Sequence, residues 1–336
     1  MNKVIVITGA SSGIGLSHAV YLIYKGYTVF GTSRLDTVKD LHKLKEIYLQ
    51  DHTKYRFTNR EKTSVKPRKN LLPKKILNNL DELLSKIIFF KMDVTSEDSV
   101  QSAIKEMEDK AKQLNNRGID VLINNAGISF FKSSEDLSLE DWQKTFDINL
   151  FGVIRVVKAV LPYMRARKAG QIINTSSLGA IATIPFQAHY SASKIATKMF
   201  TEGLRIEVKP FNIKVSAILP TDINTNFNVN MFDHSNSKGN NISSIDLQYM
   251  IDNTPTSKDS PYYHSAQKVW KIIVKNLIVA PPPLVVSKKI AKIIKSRKPK
   301  VNYRSGSLSQ IFLIYLIRRI VSDEFTDYLL PKYFGL

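Results

Sequence analysis

Six short apolar runs, each closing on a small or polar residue, divide the first two thirds of the chain. The first covers 3–8 and runs directly into Thr8-Gly9-Ala10-Ser11-Ser12-Gly13-Ile14-Gly15, after which an apolar helix is predicted over 16–24. Further strands are predicted at 28–33, 87–92, 121–123, 171–175 and 214–219. Between them the apolar positions recur at helical spacing. An amphipathic helix is expected over 97–114, and a long one over 139–167, where Phe146, Leu150, Val153, Val157, Val160 and Met164 step by three or four. A third helix carries Tyr190 and ends at Lys209. Strands that are mostly apolar and alternate with helices predict an α/β fold whose parallel sheet is buried on both faces. Such sheets bind ligands beyond the C-terminal ends of their strands, and Gly9, Arg34, Asp93, Asn124, Ser177 and Pro220 each stand just past one.

Two stretches break this rhythm. Residues 35–86 are polar and basic, interrupted by Pro67 and Pro73, and predict a surface insertion with short helices around 38–49 and 77–84 and a mobile middle. Residues 226–267 are rich in Asn and Ser and read as a substrate lid or a loose loop. Pro281-Pro282-Pro283 precedes a helix expected over 286–296, and a largely apolar one is expected over 307–325. No internal repeat is found. The organisation is that of a single domain over 1–336, with 46–83 inserted, a lid over 226–280 and a C-terminal extension over 284–336.

At 336 residues and 43% hydrophobic content the chain can bury a large core. It has no cysteine, which excludes disulfides, thiolate metal sites and cysteine nucleophiles, and its six histidines are scattered without metal-ligand spacing, so no metal is expected. The formal charge is +20, and its distribution is uneven: 39–86 holds thirteen basic residues against six acidic, and 288–304 holds eight basic and none acidic. No basic–aromatic nucleic-acid motif accompanies the charge, so a solvated insertion is expected rather than a nucleic-acid partner. The apolar run Val4–Ile7 and the seven residues Ile311–Ile317 are too short to span a bilayer. A cytoplasmic protein is expected, with peripheral membrane contact through basic Lys288–Arg304 and apolar Leu308–Val321 as a further expectation.

Candidate chemistry centres on Tyr190-Ser191-Ala192-Ser193-Lys194. Four residues make one helical turn, so phenol and ammonium share a face with Cβ atoms about 5–6 Å apart. A lysine cation beside a tyrosine favours the phenolate and could bring it near neutrality, although the same spacing alone more often marks a solvated face. The strand, glycine turn and helix at 3–24 form the context in which backbone N–H groups cradle a pyrophosphate. Its spacing is Gly-x-x-x-Gly-x-Gly. At the end of the second strand Arg34 occupies the position where an acidic residue would accept the ribose hydroxyls of NAD. A guanidinium can instead fork two hydrogen bonds to a 2′-phosphate, with Ser33 adding a third, so NADP(H) is expected over NAD(H); Asp36 is the one dissenting charge.

Taken in order, Thr8-Gly-x-x-x-Gly-Ile-Gly15, Asp93, Asn124-Asn-Ala-Gly127, Asn149, Ser177 and Tyr190-x-x-x-Lys194 resemble the motifs of the short-chain dehydrogenase/reductase family over roughly 3–34 and 87–225. The resemblance implies a seven-stranded, doubly wound Rossmann-type fold, a nicotinamide cofactor and a catalytic tetrad of Asn149, Ser177, Tyr190 and Lys194. Ser177, thirteen residues ahead of the tyrosine, matches the family position better than Ser176. By resemblance Tyr190 is the acid, Lys194 poises it, Ser177 aims the carbonyl and Asn149 holds a water that feeds protons to Lys194. Cofactor contacts are implied for Gly9, Ser11, Ser12, Gly13, Ile14, Gly15, Ser33, Arg34, Asp93, Val94, Asn125, Ala126, Gly127, Tyr190, Lys194, Pro220, Ile223 and Thr225. One departure stands out: Thr221 follows Pro220 where the family usually has glycine. The expected function is an NADP(H)-linked carbonyl reductase or alcohol dehydrogenase acting on a bulky or lipid-like small molecule, in a homo-oligomer. A non-catalytic dinucleotide sensor of the same fold and a basic nucleic-acid binder are the alternatives.

Overall fold

The computed structural model describes residues 3–34, 40–52, 72–225, 227, 231, 250, 252–320 and 322–336. Seven strands, β1 (Val4–Ile7), β2 (Thr28–Ser33), β3 (Ile88–Lys91), β4 (Val121–Asn124), β5 (Gly170–Thr175), β6 (Ile213–Pro220) and β7 (Asn302–Ser305), form one sheet in the order β3-β2-β1-β4-β5-β6-β7. All its pairings are parallel. The chain winds outward from β1 in both directions, so the crevice where ligands bind such sheets lies beyond the C-terminal ends of β1 and β4.

The strands read as continuous apolar runs because both faces are covered. Along β1, Ile5 and Ile7 join a core with α1 (Gly13–Tyr24), while Val4 and Val6 join a second core with α5 (Glu97–Asn115) and α7 (Gly152–Ala166). Burial of each such side chain contributes about 1.5–3 kcal/mol, and the period-two alternation fixes which face it serves.

The inserted segment departs from expectation. Its flanks fold as α2 (Leu41–His52), α3 (Lys74–Asn78) and α4 (Leu80–Ser85), and Leu44, Tyr48, Ile76, Leu80 and Leu84 are fully or nearly fully buried in the same core as α1. It is therefore not surface throughout. The reason lies in α1, whose residues from Gly15 to Ile23 are all buried and need cover on the side away from the sheet. Polar residues seal this junction: Ser17 Oγ lies 3.1 Å from His52 Nε2 and 2.9 Å from Ser287 Oγ, and His18 Nδ1 lies 2.9 Å from Ser287 Oγ. The expected mobile middle falls on 53–71, outside the described residues.

The predicted helix over 139–167 is broken by a π-helical turn, Asp147–Phe151, between α6 (Leu139–Phe146) and α7. The Tyr190 segment forms α8 (Ala188–Glu207). Beyond β6 the sequence pattern foresaw less. α9 (Tyr263–Val279) buries Trp270, Val274 and Leu277 against Phe131 and Phe334 in a third, smaller core. α10 (Leu284–Lys295) packs on α1, with Lys288, Lys292 and Lys295 exposed. The single helix expected over 307–325 is two, α11 (Leu308–Ile320) and α12 (Asp323–Tyr333). Within the expected lid, residues 226, 228–230, 232–249 and 251 lie outside the described residues.

Candidate active site

The glycine turn after β1 is shaped by close approach. Gly9 and Gly13 have φ of +66° and +54°, in the region that favours glycine. A β-carbon on Gly15 would sit 2.1 Å from the Gly9 carbonyl oxygen, so the helix start can close on the turn only without one. Ser12 at the N-cap makes no side-chain capping bond. The turn is tied to the end of β4: Asn125 N and Ala126 N donate to Thr8 Oγ1 at 2.9 and 3.0 Å, and Asn125 Nδ2 donates to the Thr8 carbonyl at 3.1 Å.

A cavity of about 760 Å³ starts at this turn. Ser33, Arg34, Asp93 and Val94 line one end of it, and Ser177, Tyr190, Lys194 and Thr225 another part. Asp93 also holds its own loop, its Oδ1 accepting from Thr95 N at 3.0 Å and Thr95 Oγ1 at 2.8 Å. Of the residues given a catalytic or cofactor-contacting role from the sequence, the cavity brings together all but Gly15 and Asn149.

Tyr190 and Lys194 do share a face of α8, with Lys194 Nζ 5.7 Å from the Tyr190 ring centroid. Their ionisation differs from expectation. Burial pushes the phenol up to about 12; the hydrogen bond with Ser177 pulls it down and the charge of Asp222 pushes it up further. Burial brings the Lys194 ammonium down to about 8. Lys194 also lies deep and donates a hydrogen bond to the Thr175 carbonyl at 3.1 Å.

Asn149 sits in the π-helical turn, fully buried and off the cavity. Its Oδ1 accepts from Ile128 N at 2.9 Å, and its Nδ2 donates to the Ile128 carbonyl and to Ser193 Oγ, both at 3.0 Å. The side chain thus clamps the loop after β4 to α8. A β-carbon on Gly127 would meet Asn149 Oδ1 at 3.1 Å and Lys194 Nζ at 3.3 Å, which shows how closely the two approach.

Thr221 donates its backbone N–H to the Ser305 carbonyl at 2.9 Å, and its Oγ1 accepts from Ser307 N at 2.9 Å. The glycine-to-threonine departure is thus used to fasten the end of β6 to the start of α11. Sequence reasoning missed Asp222 and Gln310, which line the cavity and share a hydrogen bond of 2.6 Å. Asp222 could have been found beside Pro220-Thr221; nothing along the chain links it to Gln310. The apolar wall formed by Ile273, Leu313, Ile314, Leu329 and Phe334 was likewise not assigned.

A turn cleared of side chains, helix-start amides free of a side-chain cap and a cavity leading to a tyrosine fit a dinucleotide. The family model for short chain dehydrogenases matches residues 61–236. The chain belongs to the short-chain dehydrogenase family. A 3-ketodihydrosphingosine reductase of Bacteroides thetaiotaomicron is 30% identical over 334 residues, 99% of this chain and 98% of the relative. Retinol dehydrogenase 8 of Bos taurus is 31% identical over 291 residues, 84% of this chain and 80% of the relative. Among solved structures, the closed form of a serine dehydrogenase complexed with NADP+ superposes with a TM-score of 0.61 at 19% identity, covering 91% of this chain and 96% of that one. As a short-chain dehydrogenase the protein is an NAD(P)-dependent oxidoreductase acting on CH–OH groups. Among the described residues no helix is long and apolar enough to cross a membrane.

Proposed function

We propose that the protein interconverts a bulky, lipid-like ketone and its secondary alcohol with NADP(H) as cofactor. The carrying observation is continuity: one cavity joins the glycine turn and Arg34 to Ser177, Tyr190 and Lys194, then continues between apolar side chains of α9, α11 and α12. A nicotinamide bound there supplies the hydride or accepts it. Tyr190, protonated through neutral pH, gives its proton to the oxygen of the carbonyl being reduced. Ser177, hydrogen-bonded with Tyr190, aims that oxygen, and Lys194 supplies positive charge beside the phenol. Asn149 is a positioning residue, since its amide N–H groups are committed to Ile128 and Ser193.

The cofactor preference rests on Arg34, which lines the cavity beside Ser33, is exposed, and makes no ion pair with the described residues. The serine dehydrogenase structure, complexed with NADP+, supports the same reading. The lipid-like substrate is supported by the apolar wall and by two relatives named for acting on ketodihydrosphingosine and retinol. Leu308 and Phe312, 82% and 67% exposed on α11, together with the exposed lysines of α10, suit peripheral contact with an anionic membrane that stores such a substrate. The test is NADPH oxidation with ketones of increasing alkyl length. The expected kcat/KM rises with chain length and exceeds that with NADH; preference for the shortest ketones would overturn the substrate class.

A further inference from the structure

A row of polar side chains, each at most 2% exposed, links the sheet to α8 and to the π-helical turn: Asn124, Asn174, Thr201, Thr197, Asn149 and Ser193. Asn124 and Asn174 are register partners on β4 and β5, and Asn124 Nδ2 donates to Asn174 Oδ1 at 2.9 Å. Asn174 Nδ2 donates to Thr201 Oγ1 at 3.0 Å, and that hydroxyl donates to the Thr197 carbonyl at 2.7 Å. Thr197 Oγ1 then lies 2.9 Å from two carbonyl oxygens, that of Ser193 one turn earlier in α8 and that of Asn149 in the π-helical turn.

A helical threonine often bonds the carbonyl four residues back, as Thr201 also does, and that bond alone assigns nothing. The bond to Asn149 is different, because it crosses from α8 to another element, with one O–H shared between two carbonyls. Asn149 is thereby fastened to α8 at two points: its Nδ2 donates to Ser193 Oγ, and its carbonyl accepts from Thr197. Ser193 Oγ in turn donates to the Tyr190 carbonyl at 2.8 Å. One bond would leave the asparagine free to pivot; two fix both its backbone and the amide that grips Ile128. Asn149 Oδ1 and Lys194 Nζ both crowd Gly127, so a shift of the turn is passed on to the ammonium. A valine at 197 would fill the same space and orient nothing. We infer that Thr197 is a positioning residue for proton transfer: by tying the π-helical turn to α8, its hydroxyl keeps Asn149, Lys194 and Tyr190 in their working arrangement. The inference rests on the roles proposed above for those three residues.

The test uses the full chain with any ketone or alcohol that it turns over, so it does not depend on the substrate class. Thr197→Val keeps the shape and removes the hydroxyl, whereas Thr197→Ser keeps the hydroxyl. Should the valine variant not fold, Thr197→Ala, a better helix former, takes its place with the same expected outcomes. In Thr197→Val kcat should fall about ten- to hundredfold, the cost of a small misplacement of reacting groups, while KM and NADPH affinity, read by fluorescence, stay within about threefold. Thr197→Ser should restore kcat to within about threefold of the unsubstituted protein. Because Thr197 acts through Asn149, the double variant with Asn149→Ala should fall within about threefold of Asn149→Ala alone. Effects that multiply instead, or equal losses in the valine and serine variants, overturn the inference, the second by assigning Thr197 to packing. So does a kcat that the valine leaves unchanged while Asn149→Ala lowers it, and there the proposed role of Asn149 survives. An unchanged kcat in Asn149→Ala sinks that role and this inference together.

Discussion

Thr221 and Gly306 share one small volume: a β-carbon on Gly306 would lie 1.9 Å from Thr221 Oγ1. Gly306 also has φ of +130°, which L side chains rarely adopt. The threonine at the end of β6 and the glycine between β7 and α11 are thus complementary, and together they set where the C-terminal helices begin. Gly306→Ala is expected to destabilise the fold by more than about 2 kcal/mol, through clash and backbone strain. Thr221→Gly alone should cost about 1 kcal/mol, through loss of the acceptor for Ser307 N. In urea unfolding the double variant should be less unstable than the sum of the two, because the clash is absent. Strict additivity would mean the backbone, not the contact, dominates.

How far the sequence foretold this can be read from where each residue's partners lie. Six strands and the helices between them were legible because strand burial and helix amphipathicity leave local periodicities. Tyr190 and Lys194 are legible for the same reason, being one helical turn apart. β7 was not, since its four residues, Asn-Tyr-Arg-Ser, are polar or half-exposed and gain their order only by pairing with β6. The buried contribution of Tyr48 and Ile76 was hidden by the basic residues around them. Asp222 and Gln310, 88 positions apart, meet only once α11 has folded over the cavity. The direction of the Tyr190 shift also escaped notice, because spacing reports proximity to Lys194 but not the depth at which both lie.

Tyr190→Phe removes a hydroxyl and little volume. Turnover should fall at least a hundredfold while NADPH affinity, read by fluorescence, stays within about threefold. In the unsubstituted protein, alcohol oxidation should climb with pH, since a phenol near 12 gives up its proton only in base. Ketone reduction should decline above pH about 8, as Lys194 loses its charge. A Phe variant with substantial reductase activity would transfer the proton donor's role elsewhere.

For Arg34→Asp the prediction is a reversal of cofactor preference. A guanidinium paired with a phosphate contributes about 1.5–3 kcal/mol, so the NADPH kcat/KM should drop about ten- to hundredfold, whereas the NADH value should hold or rise. Equal losses with both cofactors would assign Arg34 a structural part instead.

Acid stability should be governed by three histidines held neutral. Burial lowers His18 to about 3, and His52 and His189 to about 4, against about 6.5 in an unfolded chain. His189 Nε2 accepts a hydrogen bond from Phe130 N at 3.1 Å, a bond that its protonation would break. Below pH 6.5 the unfolded chain takes up protons that the folded one refuses, so stability is full above 6.5 and falls as pH drops toward 4. With all three acting, the slope approaches three protons, or about 4 kcal/mol per pH unit. His52→Gln, which can still bond to Ser17, should reduce that slope by about one proton while costing some stability at pH 7. The measurement is the urea midpoint between pH 7 and 4.5. A midpoint that stays flat to pH 5 would show that these imidazoles take up protons in the folded state, and that their burial does not control acid unfolding.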